Sequence, residues 1–391
     1  MKVAIVAGIV APADAISSAV EGQAELLATM PGVDEVVVFA QHVSRPLPCA
    51  SFVVRDSWEL VRSPAFAACD VAIFHWGIHY GAFDAITVLQ PAANGVAGPG
   101  PRPVVHFHNC TPWHLVPPEQ RPTMRQSLVQ ITHAISLGIP LWTYSEFNRR
   151  TLVDWGALDG QIVFVPFPIA VPQPSSTELA STALAAAALA ACDGDGRVEL
   201  LTVGRIVAAK GVATLVEAIG LLPTDVRAAV RVRVAGASHF SDAGLIAALQ
   251  ADATALGDTV EFVLDADDDV LAALYATSDV LVSPSLHEGL CIPVIEAYGH
   301  GLRAIGTDAG NLPFVLVAGD ERVPPGDAPA LAAAITRTVA AVRAGDDPHA
   351  VARAAVVQQY SVAATRRYLA DALAGRGSRY DDAFHAHTDE R

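Results

Sequence analysis

The sequence predicts an α/β protein built of two doubly wound, Rossmann-like domains. Three observations carry that reading. Apolar, strand-like runs alternate with helical patterns, the alternation occurs twice, and an Ala-rich segment separates the two rounds. At 391 residues the chain has room for two cores of ordinary size.

In the first round, KVAIVAG (2–8), EVVVFA (35–40), VAIFHW (71–76), PVVHFHN (103–109), PLWTYS (140–145) and QIVFVPFP (161–168) read as strands. Their nearly continuous apolar character is that of parallel strands covered on both faces. Helical patterns at 16–30, 124–137 and 146–156 fall between some of them. The second round has VELLTVG (198–204), VRVRVAG (230–236), VEFVL (260–264), VLVSPS (280–285) and RAIGTDA (303–309), with helical patterns at 211–222, 242–256 and 269–277. Between the rounds, PQPSSTELASTALAAAALAACDGDG opens with Pro and Ser and closes with Gly and Asp, as a linker does. The expected division is an N-terminal domain at 1–171, a linker at 172–196, a C-terminal domain at 197–359, a crossover helix at 360–375 and a flexible tail at 376–391.

Charge narrows the function. The formal net charge is −16, and neither half of the chain is basic, which argues against nucleic acid and anionic lipid as partners. Cys49, Cys69, Cys110, Cys192 and Cys291 are scattered and show no CxxC spacing, so they read as reduced thiols of a cytoplasmic protein. MKVAIVAGIV is too short and too lightly charged for a signal peptide, and no run reaches membrane-spanning length. Of 25 basic residues only Lys2 and Lys210 are lysines, which makes Lys210 conspicuous.

Ligands of doubly wound sheets bind at the carboxyl ends of strands. There, Gly204-Arg205 and Lys210-Gly211 bring a guanidinium and an ammonium to one strand–helix corner, suited to phosphate oxygens. HEGLCIPVIEA (287–297) places Glu288 in a loop, Pro293 at the expected first helical position and Glu296 in the expected first turn. A helix start holds phosphate well, but it can equally be a capped, solvated terminus. Carboxylates accept hydrogen bonds from sugar hydroxyls. Cations, a helix terminus and carboxylates together suit a nucleotide sugar.

GRIVAAKG followed by LYATSDVLVSPSLHEGLCIPVIEAYGHG resembles the signature of the retaining family-4 glycosyltransferases of the GT-B fold. VVHFHNCTP (104–112) resembles that family's branch with an H-N-x-T-P segment. YSEFNRRTLVDWGA (144–157), VPFPI (165–169) and PADAISSAVEGQAELL (12–27) resemble further family segments in the right order. The resemblance covers about residues 1–170 and 197–375. It implies two Rossmann-like domains facing across a cleft and transfer of a sugar from a nucleotide-diphosphate donor to an acceptor hydroxyl, with hexosyltransferase chemistry. The anomeric configuration would be kept by front-face attack, without a bound metal or other cofactor. Residue by residue, Arg205 and Lys210 would hold the diphosphate. Glu296 would accept from the ribose, Glu288 would face the sugar hydroxyls, and the backbone of Gly289, Leu290, Cys291 and Ile292 would contact sugar and phosphate. Gly8 would touch phosphate from the first-strand loop. His108 would lie beside the transferred sugar, with Asp14, His75 and Trp113 on the acceptor side.

The sequence departs from the pattern at four places: Cys291 and Cys110 replace commoner residues, Phe314 stands where an acidic residue is usual, and GIVAPADA (8–15) lacks a Gly-Gly pair. His75, His79, His106, His108 and His114 crowd within 40 residues, yet no Cys or acidic ligand joins them at metal-site spacing, so core or cleft-edge histidines are the expectation. DADDD (265–269) reads as a helix cap. The first strand carries no GxGxxG, which disfavours a nicotinamide dehydrogenase. A glycoside phosphorylase, a sugar-nucleotide epimerase and a non-catalytic sugar-nucleotide-binding protein remain as alternatives.

Overall fold

The computed structural model describes residues 1–12, 14–89, 100–166, 168–169, 196–345 and 347–376. Most of the expected linker (172–195), most of the expected tail (377–391), Ala13, Phe167 and Cys192 lie outside the described residues. The chain divides into two compact units: Met1–Pro168 with the segment beginning at Tyr360, and Ile169–Gln359. No helix among the described residues is long and apolar enough to cross a membrane.

The first unit contains β1 (Lys2–Val10), α1 (Ala15–Ala28), β2 (Glu35–Val43), β3 (Ala50–Val53), α2 (Ser57–Arg62), α3 (Pro64–Ala67), β4 (Val71–Trp76), β5 (Arg102–Phe107), α4 (Arg121–Ser136), β6 (Leu141–Thr143), α5 (Glu146–Asp154) and β7 (Ile162–Phe164). Its strands are all parallel and ordered β3-β2-β1-β4-β5-β6-β7. Both faces are covered, and that explains the unbroken apolar runs. Ala4, Val6, Phe74 and Phe107 pack on one side, while Val3, Ile5, Ile73 and Val104 pack on the other with Val20 and Leu27 of α1. Burying such side chains stabilises by about 1.5–3 kcal/mol each.

The second unit contains β8 (Val198–Val203), α6 (Val212–Leu221), α7 (Thr224–Ala228), β9 (Val230–Gly236), α8 (Ala243–Thr254), β10 (Val260–Leu264), α9 (Asp268–Thr277), β11 (Val280–Ser283), α10 (Ile292–Gly299), β12 (Arg303–Thr307), α11 (Leu312–Val315), β13 (Glu321–Val323), α12 (Ala328–Ala344) and α13 (Ala350–Gln359). The parallel order is β10-β9-β8-β11-β12-β13, the arrangement of dinucleotide-binding sheets. A last helix, α14 (Val362–Leu373), belongs to the first unit. Leu369 and Leu373 enter its core, and the Tyr360 hydroxyl donates to the Tyr144 carbonyl at 3.2 Å.

One strand differs from its apolar expectation. In β9, Val230, Val232 and Val234 join the core, but Arg231 and Arg233 point to the opposite face. There both guanidinium groups pair with Glu199, Arg231 at 3.4 Å and Arg233 at 3.2 Å. Buried charge survives because it is paired. The DADDD segment does cap a helix: Asp267 Oδ1 accepts from the Val270 N–H at 2.8 Å.

Candidate active site

In each sheet the strand order reverses beside the first strand, between β1 and β4 and between β8 and β11, where ligands of such sheets collect. In the second unit, β8 gives way to Gly204 and exposed Arg205, which has no ion-pair partner among the described residues. A short 3-10 turn, Ala208–Lys210, ends at Gly211, which is left-handed at φ 66° and starts α6. Only glycine fits there, because a Cβ would stand 2.0 Å from the Pro284 carbonyl oxygen. The Leu286 N–H donates to the Ala209 carbonyl at 2.8 Å and fixes the same approach.

That approach makes the central contact. Lys210 Nζ donates to Glu288 Oε1 at 2.7 Å, and Ser285 Oγ donates to the same oxygen at 2.6 Å. Glu288 is buried, whereas Lys210 keeps about a quarter of its side chain in solvent. Behind the carboxylate, Gly310 passes so close that a Cβ would sit 2.1 Å from the Glu288 carbonyl oxygen. That oxygen accepts from the Asn311 N–H at 2.8 Å, and the Asn311 side chain reaches the Leu290 carbonyl at 3.3 Å.

The helix start corrects the expected register. Cys291, not Ile292, is the N-cap, in a left-handed conformation at φ 67°. Pro293 is therefore the second helical residue and Glu296 the fifth, outside the first turn. Helical side chains lean toward the N-terminus, so Glu296 still reaches back, where Tyr275 Oη donates to its Oε2 at 2.7 Å. Burial raises the Glu296 pKa, and the tyrosine hydrogen bond opposes that rise. Burial and the nearby Glu288 charge push the Cys291 thiol up to about 12, so it stays neutral, 3.4 Å from Ser283 Oγ. The first backbone N–H groups of α10 have no helical partners. Gly289, Leu290 and Cys291 follow Glu288 directly and lead into Ile292, the first residue of α10.

In the first unit the candidates separate. His75 on β4 pairs in register with His106 on β5, and His108 follows two residues later on the same face. All three are buried, at 1%, 2% and 5% exposure. His75 Nε2 contacts Gln23 Oε1 at 2.8 Å, and His75 Nδ1 contacts His108 Nε2 at 2.8 Å. The carbonyl of His108 accepts from Tyr144 Oη and, at 3.3 Å, from Asn148 Nδ2. Burial lowers the pKa of all three imidazoles, that of His106 to about 3, and their mutual repulsion adds to the shift for His75 and His108. The rings are therefore neutral.

Three other expected residues make no hydrogen bond to this cluster among the described residues. Gly8 is not in a loop: β1 runs on to Val10 beside β2, and a Cβ on Gly8 would meet Tyr80 at 3.2 Å. Asp14 caps α1, accepting from the Ser17 N–H at 2.8 Å and its hydroxyl at 2.7 Å. Trp113 is 62% exposed, with the Arg121 guanidinium 5.3 Å above its ring. Sequence reasoning passed over Ser285, Tyr275, Asn311 and Gln23. Gln23 had a signal, being a polar residue at the helical spacing of buried Val20 and Leu27.

Residues 197–341 match the family model described as glycosyl transferases group 1, a stretch within the second unit and well under half of the chain. No curated protein matches the chain in sequence. Among solved structures, Anabaena HepE in complex with UDP is similar with a TM-score of 0.71 at 16% identity, covering 96% of this chain and all of HepE. Sucrose-phosphate synthase from Thermosynechococcus elongatus gives 0.71 at 19% identity, covering 96% of this chain and 98% of its own. A UDP-forming trehalose-phosphate synthase from Burkholderia xenovorans, in complex with glucose-6-phosphate, gives 0.67 at 13%, covering 96% and 100%. At these identities the likeness shows the fold, which is the two-domain, Rossmann-like GT-B architecture.

Proposed function

We propose that this chain is a glycosyltransferase that moves a sugar from a nucleoside-diphosphate sugar to a hydroxyl acceptor, with retention of configuration. The observation that carries the reading is the Lys210–Glu288 pair at 2.7 Å, beside Arg205 and the start of α10. Among the described residues, both hydrogen bonds to the Glu288 carboxylate fall on Oε1, which leaves Oε2 to accept from a sugar hydroxyl. The Lys210 ammonium has three N–H donors and gives one to Glu288, so two remain for phosphate. The family match over 197–341 and the UDP and UDP-glucose complexes of HepE support a nucleotide-sugar donor.

In this reading Arg205, Lys210 and the α10 N–H groups hold the diphosphate and stabilise the charge that grows on it, so the transfer itself needs no added metal. Glu296, already bonded to Tyr275, takes the ribose. The acceptor oxygen bonds to C1 as the bond from C1 to the phosphate oxygen breaks, and that phosphate oxygen takes the acceptor proton. No protein nucleophile is required. Glu288 positions the sugar.

A panel of UDP, GDP, ADP and dTDP in thermal unfolding tests the reading, because a ligand bound only by the native state raises stability by mass action. One diphosphate should raise the midpoint clearly above the others. A flat panel at millimolar ligand would contradict a nucleotide-sugar donor.

A further inference from the structure

The imidazole cluster of the first unit has a geometry that packing alone leaves unexplained. His75, His106 and His108 come from two adjacent parallel strands, and their ring centroids stand 5.1, 4.9 and 5.0 Å apart in the three pairs. One ring nitrogen from each lies within 4.8 Å of the other two. The cluster is buried, and its internal hydrogen bonds do not fill it. Gln23 Nε2 reaches His106 Nδ1 only at 3.4 Å, and buried His106 Nε2 has no partner among the described residues. Buried polar atoms are nearly always satisfied, so a ring nitrogen without a partner inside a cluster of imidazoles marks a place that the internal hydrogen bonds leave incomplete.

We propose that His75, His106 and His108 form a site for one Zn2+ ion, separate from the Lys210–Glu288 corner. Neutral imidazole is a standard ligand of zinc-class ions, and three of them leave a fourth position for water or another oxygen ligand. A tetrahedral ion with bonds of about 2.0–2.1 Å holds its ligand nitrogens roughly 3.4 Å apart. The His75–His108 contact of 2.8 Å therefore has to widen by roughly half an ångström, and the 4.8 Å limit on the set brackets the rest.

On the His75 side the surrounding groups already support such an ion. With His75 Nε2 donating to Gln23 Oε1, the His75 lone pair lies on Nδ1, the nitrogen nearest His108. Outer hydrogen bonds of this kind orient metal-bound imidazoles. With Oε1 turned to His75, Gln23 Nε2 donates to His106 Nδ1, so the His106 proton starts on Nε2. On binding, that proton moves to Nδ1 as the 3.4 Å Gln23 contact gives way, and the proton between His75 and His108 moves to His108 Nδ1, so the three ligands stay neutral and no net proton is released. The backbone of His108 is held at both ends, by its N–H to the Trp76 carbonyl at 2.8 Å and by Tyr144 and Asn148 on its own carbonyl. The ion would cross-link the carboxyl ends of β4 and β5 and fix His108.

The test uses the full chain without a polyhistidine tag, stripped with chelator and titrated with Co2+ as an optical probe. The expected result is the visible spectrum of four-coordinate Co2+ saturating at one equivalent per chain and abolished by one equivalent of Zn2+. His106→Phe should weaken binding at least about tenfold, as should Gln23→Leu through lost orientation, whereas exposed His114→Ala should not. Thermal unfolding without metal shows whether each variant is folded. Should the histidine variants unfold, X-ray absorption of the Zn2+-loaded wild type counts the imidazoles directly, and three are expected. No one-equivalent spectrum, fewer than three imidazoles, or unchanged affinity in folded His106→Phe would overturn the proposal. None of these readouts depends on sugar transfer, so the two readings fail independently.

Discussion

Beside the strand-order reversal of the first sheet stand three neutral imidazoles; beside that of the second stand an ammonium, a guanidinium and two carboxylates. The strand order leading to each place is the same, yet the means of construction differ. In the first unit, the pleat and register of β4 and β5 stack side chains on one face, and burial keeps them uncharged. In the second, backbone makes the site. Gly211 and Gly310 let loops approach within distances that a Cβ would forbid, and this brings Lys210 to Glu288. The contrast teaches that one doubly wound frame supports a charged corner where loops carry the site, and a neutral, imidazole-lined one where strands do.

The largest effect expected from breaking the comparison is on its cations. Arg205→Ala should lower turnover at saturating donor by about two orders of magnitude or more with an unchanged unfolding midpoint, because Arg205 is exposed and unpaired among the described residues. Lys210→Ala should lose turnover similarly, but it also strands buried Glu288 and so should unfold earlier. Initial rates and melting curves on both variants check this together. Near-wild-type rates for both would remove the diphosphate role.

A smaller effect separates the two glutamates. Glu296→Ala should weaken free nucleoside diphosphate by about tenfold, the scale of losing hydrogen bonds to a charged group. Glu288→Ala should leave that affinity nearly intact and impair use of the sugar nucleotide. Calorimetry with diphosphate and with donor distinguishes them, and equal diphosphate affinity in wild type and Glu296→Ala would refute the ribose assignment.

The smallest effect sharpens the backbone side of the contrast. Gly310→Ala should cost roughly 1–3 kcal/mol or more, since its Cβ would overlap the Glu288 backbone. Gly138 in the first unit has a similar φ of 68° with nothing within 4 Å, so Gly138→Ala should carry only the left-handed penalty of about 1–2 kcal/mol. Urea unfolding of both variants checks the order.

Much of the frame is written in local pattern. β9 and β10 fall at their expected bounds because short valine-rich runs flanked by turn residues are local signals. β3 escaped because all four of its residues are exposed and carry no burial pattern. β13 escaped because three residues are too few to show one. The candidate cations and carboxylates were legible as residue types at strand ends. Their arrangement was not, since it depends on contacts between distant segments. Gly310 meets Glu288, Gly211 meets Pro284, and Gln23 reaches His75 across 52 positions of chain. The start of α10 slipped by one residue because the left-handed cap falls on Cys291, a type that rarely adopts it.

The most direct test of the central claim is titration calorimetry of the preferred nucleoside diphosphate against wild type, the Arg205→Ala/Lys210→Ala double variant and His106→Phe. The account predicts one nucleotide per chain in the wild type and in His106→Phe at similar affinity, and affinity lost by about a hundredfold or more in the double variant, because the charged corner alone holds phosphate. Unchanged affinity in the double variant, or loss confined to His106→Phe, would contradict it.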